Sequence, residues 1–253
     1  MTSAAPLASA SDAEPSAVDH VARIVDVRKT YQKSAAAPPV HALDGVSVDI
    51  PRGQYCCVMG PSGSGKSTLM NIIGCLDRPT SGSYFIDGVD VARMSDEDLS
   101  ATRGRKLGFV FQAFNLIPQL TIQENVEVPL FYQAISRAER RSRSAAALES
   151  VGLGDRLTHR PAQLSGGQCQ RAAIARALVG EPALLLADEP TGALDTKTGE
   201  QILEIFEGLH EQGLTIVMVT HDESIADHCQ RVIRLLDGKL DRDHAGGRPT
   251  PSA

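Results

Sequence analysis

Hydrophobic and polar residues follow two patterns along this chain, one typical of strands and one typical of helices. Short apolar runs rich in β-branched residues predict strands at Arg23–Val27, Val46–Ile50, Gln54–Met59, Lys106–Phe111, Ala183–Asp188, Leu214–Thr220 and Val232–Leu236. Longer segments with apolar residues three and four positions apart predict helices at Lys66–Cys75, Asp96–Gly104, Arg137–Val151, Gly167–Val179, Lys197–Gln212 and Glu223–His228. Strands that alternate with helices indicate an α/β domain with a mostly parallel sheet.

The alternation is interrupted between Ala113 and Gly180, where the pattern is helical without an intervening strand. We interpret residues 113–180 as a helical subdomain inserted into the sheet domain. Residues 1–20 are rich in Ala, Ser and Pro and predict a disordered leader, and residues 241–253 predict a disordered tail. A shorter Ala/Pro stretch, Ser34–Pro39, predicts a loop between two strands. The folded domain is therefore expected to span residues 21–240.

Composition narrows the class of protein. Apolar residues make up 42% of the chain and charged residues 22%, which are ordinary globular values. A net charge of -6 argues against a dedicated nucleic-acid partner. The 5 cysteines show no CxxC spacing, so reduced thiols fit better than a disulfide framework or a zinc site. The N-terminus lacks a secretion signal, and no apolar run approaches the roughly 18 residues of a membrane span. We expect a soluble cytoplasmic protein.

A phosphate-binding motif follows the third predicted strand and opens a helix. Residues 60–67 read GPSGSGKS and match G-x-x-x-x-G-K-[ST] at every fixed position. Glycines allow the backbone to wrap around phosphates, and the helix N-terminus adds partial positive charge. A glycine-rich turn without a ligand is the alternative. The predicted nucleotide contacts are Gly60, Pro61, Ser62, Gly63, Ser64, Gly65, Lys66, Ser67 and Thr68, with Lys66 on the β- and γ-phosphates and Ser67 on Mg²⁺.

Two carboxylates follow the apolar strand Ala183–Asp188. Asp188 and Glu189 therefore lie at the carboxyl end of a strand, where α/β sheets bind ligands. Asp188 is suited to hold Mg²⁺, and Glu189 to orient or deprotonate an attacking water. An acidic pair alone is often a solvated strand end. Together with the phosphate motif, it predicts a P-loop nucleoside triphosphatase that uses Mg²⁺, without indicating which kind.

A second glycine-containing loop, Leu164–Gln168, reads LSGGQ and precedes the predicted helix Gly167–Val179. Its backbone N–H groups form another anion site at a helix N-terminus, assigned here to Ser165, Gly166, Gly167 and Gln168. One ATP has no evident use for two such sites in one subunit. An isologous homodimer would let each LSGGQ loop close over the nucleotide held by the other subunit. A simple helix-capping loop is the alternative.

This series of motifs resembles the ABC ATPase superfamily over about residues 21–240. The resemblance implies a P-loop NTPase core with a mostly parallel sheet, an antiparallel β subdomain and the inserted helical subdomain. It implies that Tyr31 stacks on adenine, with an ordinary strand-end tyrosine as the alternative. It further implies that Gln112 senses Mg²⁺ and the attacking water, that Asp195 lies in the loop between communicating subunits, and that His221 contacts the γ-phosphate.

Four stretches are similar to one group of that superfamily, the MacB/LolD/FtsE-type ATPases. They are Leu69–Asp77, Gln123–Pro129, Pro161–Ser165 and Ala187–Asp195. The resemblance implies a partner permease with four transmembrane helices per subunit and a large extracytoplasmic domain. Because the sequence ends at Ala253 without a span, we expect a separately encoded permease. The ATPase would then act as a peripheral homodimer at the cytoplasmic face of the inner membrane, in export or lipoprotein release.

Three functions share most of these motifs. The first is the transport or mechanotransmission ATPase just described, and the second is a soluble ABC ATPase acting on DNA, ribosomes or repair complexes. Relatives of the second kind usually carry a coiled-coil insertion, zinc cysteines or two ATPase units, and none is visible here. The third is a regulatory partner of a cell-division membrane protein, which only the partner would distinguish. The apolar segment Ala113–Phe131 fits either a permease-docking groove or ordinary core.

Overall fold

A six-stranded sheet forms the centre of the protein, whose computed structural model describes residues 19–32 and 38–249. Its strand order is β10-β9-β3-β8-β7-β6, and every neighbouring pair is parallel except β9 with β10. The prediction of a mostly parallel sheet is confirmed. The strands are β3 (Tyr55–Met59), β6 (Leu107–Phe111), β7 (Leu184–Asp188), β8 (Thr215–Val219), β9 (Arg231–Leu236) and β10 (Lys239–Ala245).

A second sheet of four strands, in the order β2-β1-β4-β5, is antiparallel throughout. Its strands are β1 (His20–Tyr31), β2 (Val40–Pro51), β4 (Ser81–Ile86) and β5 (Val89–Asp90). This sheet is the antiparallel β subdomain implied by the family resemblance. Most of the loop predicted at Ser34–Pro39 lies outside the described residues, as does the leader up to residue 18.

The helices are α1 (Lys66–Ile73), α2 (Asp96–Lys106), α3 (Ile122–Tyr132), α4 (Arg137–Ser150), α5 (Gly166–Leu178) and α6 (Thr196–Glu211). Helices α3, α4 and α5 lie in the region expected to be helical and pack against one another. Helix α3 begins with a capping box, in which Thr121 and Glu124 satisfy each other's backbone N–H groups. The segment Glu223–His228, predicted as a helix, forms a 3-10 helix.

The apolar core lies on both faces of the parallel sheet. Successive side chains of β3 point to opposite faces, so that Cys56 and Val58 join one apolar cluster while Tyr55, Cys57 and Met59 join the other. Because β3, β7 and β8 are buried along their lengths, only their carboxyl ends open towards solvent. Those ends meet at one edge of the sheet, which is where the candidate site forms.

The predicted tail is wrong over residues 241–245, because strand β10 extends to Ala245 and pairs with β9. Asp237 and Gly238 link the two strands with φ values of 49° and 74°, which is a tight hairpin turn. Arg231 and Asp243 then form a two-pronged ion pair across the hairpin, at 2.7 and 2.6 Å. The side chains of β10 are exposed, so its hydrophobic pattern gave no strand signal.

None of the helices among the described residues is long and apolar enough to cross a membrane. All 5 cysteines are free and buried. Burial raises the pKa of the Cys56 thiol to about 12 and that of Cys75 to about 11. These thiols are therefore protonated and unreactive at neutral pH, as expected of packing residues rather than of a redox site. Burial also raises the pKa of Cys169, which follows the LSGGQ loop.

Candidate active site

The phosphate loop, residues 60–65, connects β3 to α1 through backbone conformations that favour glycine. Gly60 and Gly65 have φ values of 148° and 101°. A Cβ atom on Gly60 would lie 2.2 Å from the Leu235 carbonyl oxygen, and one on Gly65 would lie 2.5 Å from the Ala42 carbonyl oxygen. Side chains are thus excluded at both positions. The loop is held against two neighbouring strand ends, which fixes the start of α1.

The N-terminus of α1 leaves backbone donors available to a ligand. The first hydrogen bond within the helix runs from Leu69 N to Gly65 O at 2.8 Å. The N–H groups of Lys66, Ser67 and Thr68 therefore have no partner inside the helix. The Lys66 ammonium lies over the same loop and donates to the carbonyl oxygens of Gly60 and Pro61 at 2.7 and 2.9 Å. Together these groups form a positive cradle suited to phosphate oxygens.

The acidic pair faces this cradle from the end of β7. Burial raises the pKa of Asp188, with a further increase from the neighbouring charge of Glu189 and an opposing effect from Lys66. A bound cation would favour the ionised form of Asp188, which burial makes costly. The raised pKa therefore fits a carboxylate placed for a cation.

Glu189 has a strained backbone with a φ of 44°, which costs about 1–3 kcal/mol for a residue other than glycine. Its N–H donates to the Val219 carbonyl at 2.9 Å, and this bond holds the turn in place. Its carboxylate forms a 2.7 Å hydrogen bond with Nδ1 of His221, which follows β8. Two adjacent strand ends thus bring together the carboxylate and the imidazole that the sequence placed 32 residues apart.

These groups line one cleft of about 680 Å³ at the carboxyl edge of the sheet. Of the predicted site residues, it contains Gly60, Pro61, Ser62, Gly63, Lys66, Ser67, Asp188, Glu189 and His221. Ser64 is buried behind the loop, and Gly65 caps α1. Gln112 follows β6 and packs against Gly192, where an added Cβ would lie 2.7 Å from its amide nitrogen.

Sequence reasoning missed two charged residues that line the cleft, Glu223 and Arg234. They form a two-pronged ion pair, one contact of which is 2.9 Å. Arg234 reaches the cleft because β9 pairs with β3, which places it opposite Met59 just before the phosphate loop. Both are charged residues without a motif, so no sequence signal distinguishes them from ordinary surface residues.

Tyr31, at the end of β1, lies beside α1. Its hydroxyl donates to Asp77 at 2.7 Å, and its side chain is 38% exposed. Burial raises the pKa of Tyr31, and Asp77 raises it further, while the Thr68 hydroxyl opposes the increase. Thr68 is therefore near the tyrosine hydroxyl, in the first turn of α1.

The LSGGQ loop does not line the cleft. Ser165 caps α5, accepting from Gln168 N at 3.3 Å, while Gln168 accepts from Ser165 N at 2.9 Å. Ser165 and Gly166 are exposed, and Gly167 is buried against Thr198, whose methyl group would lie 2.4 Å from an added Cβ. The loop is thus a self-capped helix N-terminus that faces solvent.

Asp195 caps α6 directly beside that loop. Its carboxylate accepts from Thr198 N at 3.0 Å and from the Thr198 hydroxyl at 2.6 Å, and these hydrogen bonds lower the pKa of Asp195. Gly166 lies close to Leu194, with 3.3 Å between an added Cβ and the leucine methyl. The LSGGQ loop and the Asp195 loop therefore form one surface, apart from the cleft of the same chain.

A family model described as "ABC transporter" matches residues 43–192. An uncharacterised ABC transporter ATP-binding protein of Thermotoga maritima is 54% identical over 221 residues, which cover 87% of this chain and 94% of that protein. A macrolide export ATP-binding/permease protein MacB of Brucella melitensis is 50% identical over 86% of this chain, which spans 33% of that relative.

A solved structure has the same fold over most of the chain. The dimeric post-hydrolysis state of the ATP-binding cassette MJ0796, bound to ADP and Pi, superposes with a TM-score of 0.82 at 46% identity. It covers 90% of this chain and 100% of that one. The predicted fold class and family are confirmed. The chain belongs to the ABC transporter family, as one of its ATP-hydrolysing cassettes.

Proposed function

We propose that this cassette hydrolyses Mg²⁺-bound ATP as a homodimer and drives a separately encoded membrane permease. The observation that supports this proposal is the division of the site between two surfaces. The cleft joins the phosphate cradle to the Glu189–His221 pair, whereas the LSGGQ loop lies outside it at an exposed helix N-terminus. A second copy of the chain would supply that loop to the cleft.

In this proposal the chain's own groups each have a defined task in hydrolysis. Lys66 and the N–H groups at the start of α1 offset the charge of the β- and γ-phosphates. Glu189 accepts a proton from water as the water oxygen bonds to the γ-phosphorus and the bond to the ADP oxygen breaks. His221 holds the Glu189 carboxylate in position through their 2.7 Å hydrogen bond. Tyr31 would stack on adenine.

The donor set fits Mg²⁺, which prefers oxygen ligands. The Ser67 hydroxyl and the Asp188 carboxylate line the same cleft, and the side-chain amide of Gln112 lies at the neighbouring strand end. The raised pKa of Asp188 supports this assignment, since burial of an ionised carboxylate is offset by a cation. Within the described ranges, no cluster of three or more His, Cys, Asp or Glu side chains suits a transition metal. When bound, Mg²⁺ would supply charge neutralisation at the phosphates.

The dimer is proposed as isologous, with each LSGGQ loop over the nucleotide of the partner subunit. The dimeric state of the MJ0796 cassette with ADP and Pi supports a nucleotide-bound dimer. Asp195 and Leu194 lie against the LSGGQ loop, so closure on one nucleotide would also contact the segment that follows Glu189. This contact offers a route by which the two sites communicate.

An apolar groove between β6, α2 and α3 is the surface we propose for the permease. It has a volume of about 370 Å³ and is lined mainly by apolar side chains, among them Leu76, Phe109, Phe111, Val128, Pro129 and Tyr132. Tyr132 is 81% exposed and contacts the ring of Phe131, itself 62% exposed, edge to face, so the groove continues into an exposed aromatic patch. Arg103, Arg105 and Arg176 add positive charge to the groove. A cytoplasmic helix with apolar and acidic residues would fit it.

The predicted segment Ala113–Phe131 thus contributes Asn115, Val128 and Pro129 to the proposed docking groove, while Ile122, Val126 and Leu130 are core. Docking would place the cassette at the cytoplasmic face of the inner membrane. Export or lipoprotein release is the proposed role, supported by the similarity to a relative named for macrolide export. The relatives that match end to end are ATP-binding proteins, which supports a permease on a separate chain.

The proposal is tested with Glu189→Gln protein in ATP and Mg²⁺. Light scattering should show a dimer, and affinity capture from detergent-solubilised membranes of the source cell should recover a permease. Lys66→Ala protein is the control, because it should lose ATP binding and therefore the dimer. A monomer with bound ATP would contradict the dimer. Recovery of soluble proteins or nucleic acid without a membrane protein would overturn the transport role.

A further inference from the structure

We infer that Lys29 and Asp77 are positioning residues that hold the Tyr31 ring in place for the nucleotide base. The inference rests on the proposed function, in which Tyr31 stacks on adenine. It assigns a role to two residues that are not part of the phosphate cleft. Their effect would be on the affinity for the base, not on the hydrolysis step.

The three side chains form a closed set of contacts at the end of β1. The Tyr31 hydroxyl donates to Oδ2 of Asp77 at 2.7 Å. The Lys29 ammonium donates to Oδ1 of the same carboxylate at 2.6 Å and lies 4.8 Å from the centre of the tyrosine ring. This contact places the Lys29 and Tyr31 side chains on the same side of β1, although the pairing register of β1 shifts at Lys29 and Thr30. The ring is therefore held at its hydroxyl end and over one of its faces.

Asp77 is itself held by the end of α1. The N–H groups of Leu76 and Asp77 both donate to the Asn71 carbonyl, at 2.8 and 3.1 Å, and Cys75 takes a φ of 53° to allow this turn. Helix α1 begins at the phosphate loop and this turn ends it. Helix α1 and the turn that ends it thus connect the phosphate donors to Asp77, which supports Tyr31.

Burial and charge show that the contacts among Lys29, Tyr31 and Asp77 are well defined. The Lys29 side chain is only 13% exposed, and its ammonium also donates to the Arg78 carbonyl at 2.8 Å. Burial alone would raise the pKa of Asp77, but the hydrogen bonds from Lys29 and Tyr31 outweigh it and the pKa is lowered. The carboxylate is therefore ionised at neutral pH and accepts from both partners.

The contacts with Lys29 and Asp77 leave part of the tyrosine ring accessible to a base. Lys29 lies over the ring on one side, and the tyrosine side chain is still 38% exposed. A base that stacks on the other face meets a ring already fixed in orientation, so less conformational entropy is lost on binding. Without Asp77 or Lys29 the ring would rotate freely about its side-chain bonds, and stacking would weaken.

The experiment compares two ligands that share the phosphate site and differ in the base. Dissociation constants of ATP and of inorganic tripolyphosphate, each with Mg²⁺, are measured by calorimetry on the full chain. Lys29→Met, Asp77→Asn and Tyr31→Phe should each weaken ATP binding about three- to tenfold, a fraction of one base–aromatic stack. Tripolyphosphate affinity should be unchanged. Asp87→Asn is the matched control, because Asp87 also pairs with a lysine, Lys106, at 2.7 Å.

The double variant Tyr31→Phe/Asp77→Asn should bind ATP no more weakly than Asp77→Asn alone, because loss of the Asp77 carboxylate already disrupts the contact that Tyr31→Phe removes. Equal loss of ATP and tripolyphosphate affinity would show a general structural role and overturn the inference. So would unchanged ATP affinity in Asp77→Asn while Tyr31→Ala weakens it. If Tyr31→Ala itself leaves ATP affinity unchanged, the adenine role of Tyr31 in the proposed function fails. Lys66→Ala tests the phosphate site separately.

Discussion

The cleft and the LSGGQ loop each contain a helix N-terminus rich in glycine, yet the two helix ends differ in how their backbone N–H groups are capped. At the cleft, Gly65 caps α1 without a side-chain hydrogen bond, so the first N–H groups of the helix are available. At the LSGGQ loop, Ser165 and Gln168 satisfy each other in a capping box. The first site is surrounded by the proposed catalytic groups of the same chain, whereas the second is exposed and has none beside it.

This difference indicates a division of work. In the proposed function, ATP is hydrolysed in the cleft. The cleft is built from strand ends of the central sheet, and the hydrogen bonds between the strands fix the positions of its residues. The LSGGQ loop is a stable surface feature, complete before any nucleotide reaches it. A chain with these two surfaces is suited to bind ATP alone and to hydrolyse it only when two copies meet.

The largest expected effect is the loss of ATP turnover in Glu189→Gln, a variant that should still bind ATP in the cleft. Glu189→Gln should lower the turnover of ATP by about 10²–10⁴-fold, because the group that accepts the proton is lost. ATP affinity should remain. The measurement is steady-state phosphate release together with a binding isotherm. Glu223→Gln is the control, since Glu223 lines the same cleft but bonds Arg234 instead of His221, and it should keep its turnover.

A smaller effect is expected from the backbone of the phosphate loop. Gly65→Ala should destabilise the fold by about 1–3 kcal/mol, because its φ of 101° and the Ala42 carbonyl leave no room for a Cβ. ATP affinity should fall with it, since the start of α1 must shift. Gly88→Ala is the control, at a φ of 77° with nothing within 4 Å of the added atom. Denaturant unfolding and ATP binding would be measured. Intact ATP affinity in Gly65→Ala would contradict the role given to the loop.

Removal of the Ser165 cap tests whether the LSGGQ loop acts in hydrolysis or only stabilises helix α5. Ser165→Ala should cost about 1 kcal/mol of stability and leave the ATP affinity of the monomer unchanged, yet lower turnover and ATP-dependent dimer formation. Ser136 caps α4 with the same 3.3 Å hydrogen bond and provides the control. Ser136→Ala should cost similar stability without a loss of turnover. Equal turnover in the two variants would remove the LSGGQ loop from the proposed composite site.

The smallest expected effect is that of Asp188→Asn on stability, and this substitution should stabilise the fold instead of destabilising it. A carboxyl group whose pKa is raised by folding stabilises the fold below its ordinary value of 3.8, and that contribution is lost as pH rises through the raised pKa. Asp188→Asn, which carries no charge, should therefore unfold at a higher temperature than the parent protein at pH 7, without Mg²⁺ or nucleotide. The gain should shrink as pH falls towards 3.8. A lower unfolding temperature at pH 7 would show that the charge of Asp188 stabilises the apo protein.

Sequence patterns predicted the central sheet and the phosphate loop because each depends on local signals. The buried strands β3, β7 and β8 are short apolar runs, and the glycine spacing of the loop is a motif with one known use. Asp188 and Glu189 were found because they directly follow such a strand. That these residues lie together in one cleft follows from the parallel order of the strands.

The parts that sequence reasoning missed depend on contacts between distant residues. The two-residue strand β5 was absent from the prediction. Strands β4 and β10 were also absent, since β4 pairs with β1 about sixty residues away and β10 has no buried side chain. A local signal did exist for both. Asp87-Gly88 and Asp237-Gly238 are hairpin turn pairs, and each adjoins a missed strand. The contact of Asp77 with Tyr31 had no such signal.

The burial of every thiol has a practical consequence for labelling. The sequence contains no tryptophan, and its cysteines are shielded from solvent. A single cysteine introduced at an exposed position, such as Gly88, would therefore be the preferred target of a maleimide dye. A tryptophan introduced at a second position would be the sole indole emitter. The distance between one dye and one tryptophan, each at a chosen position, could then be measured by fluorescence energy transfer.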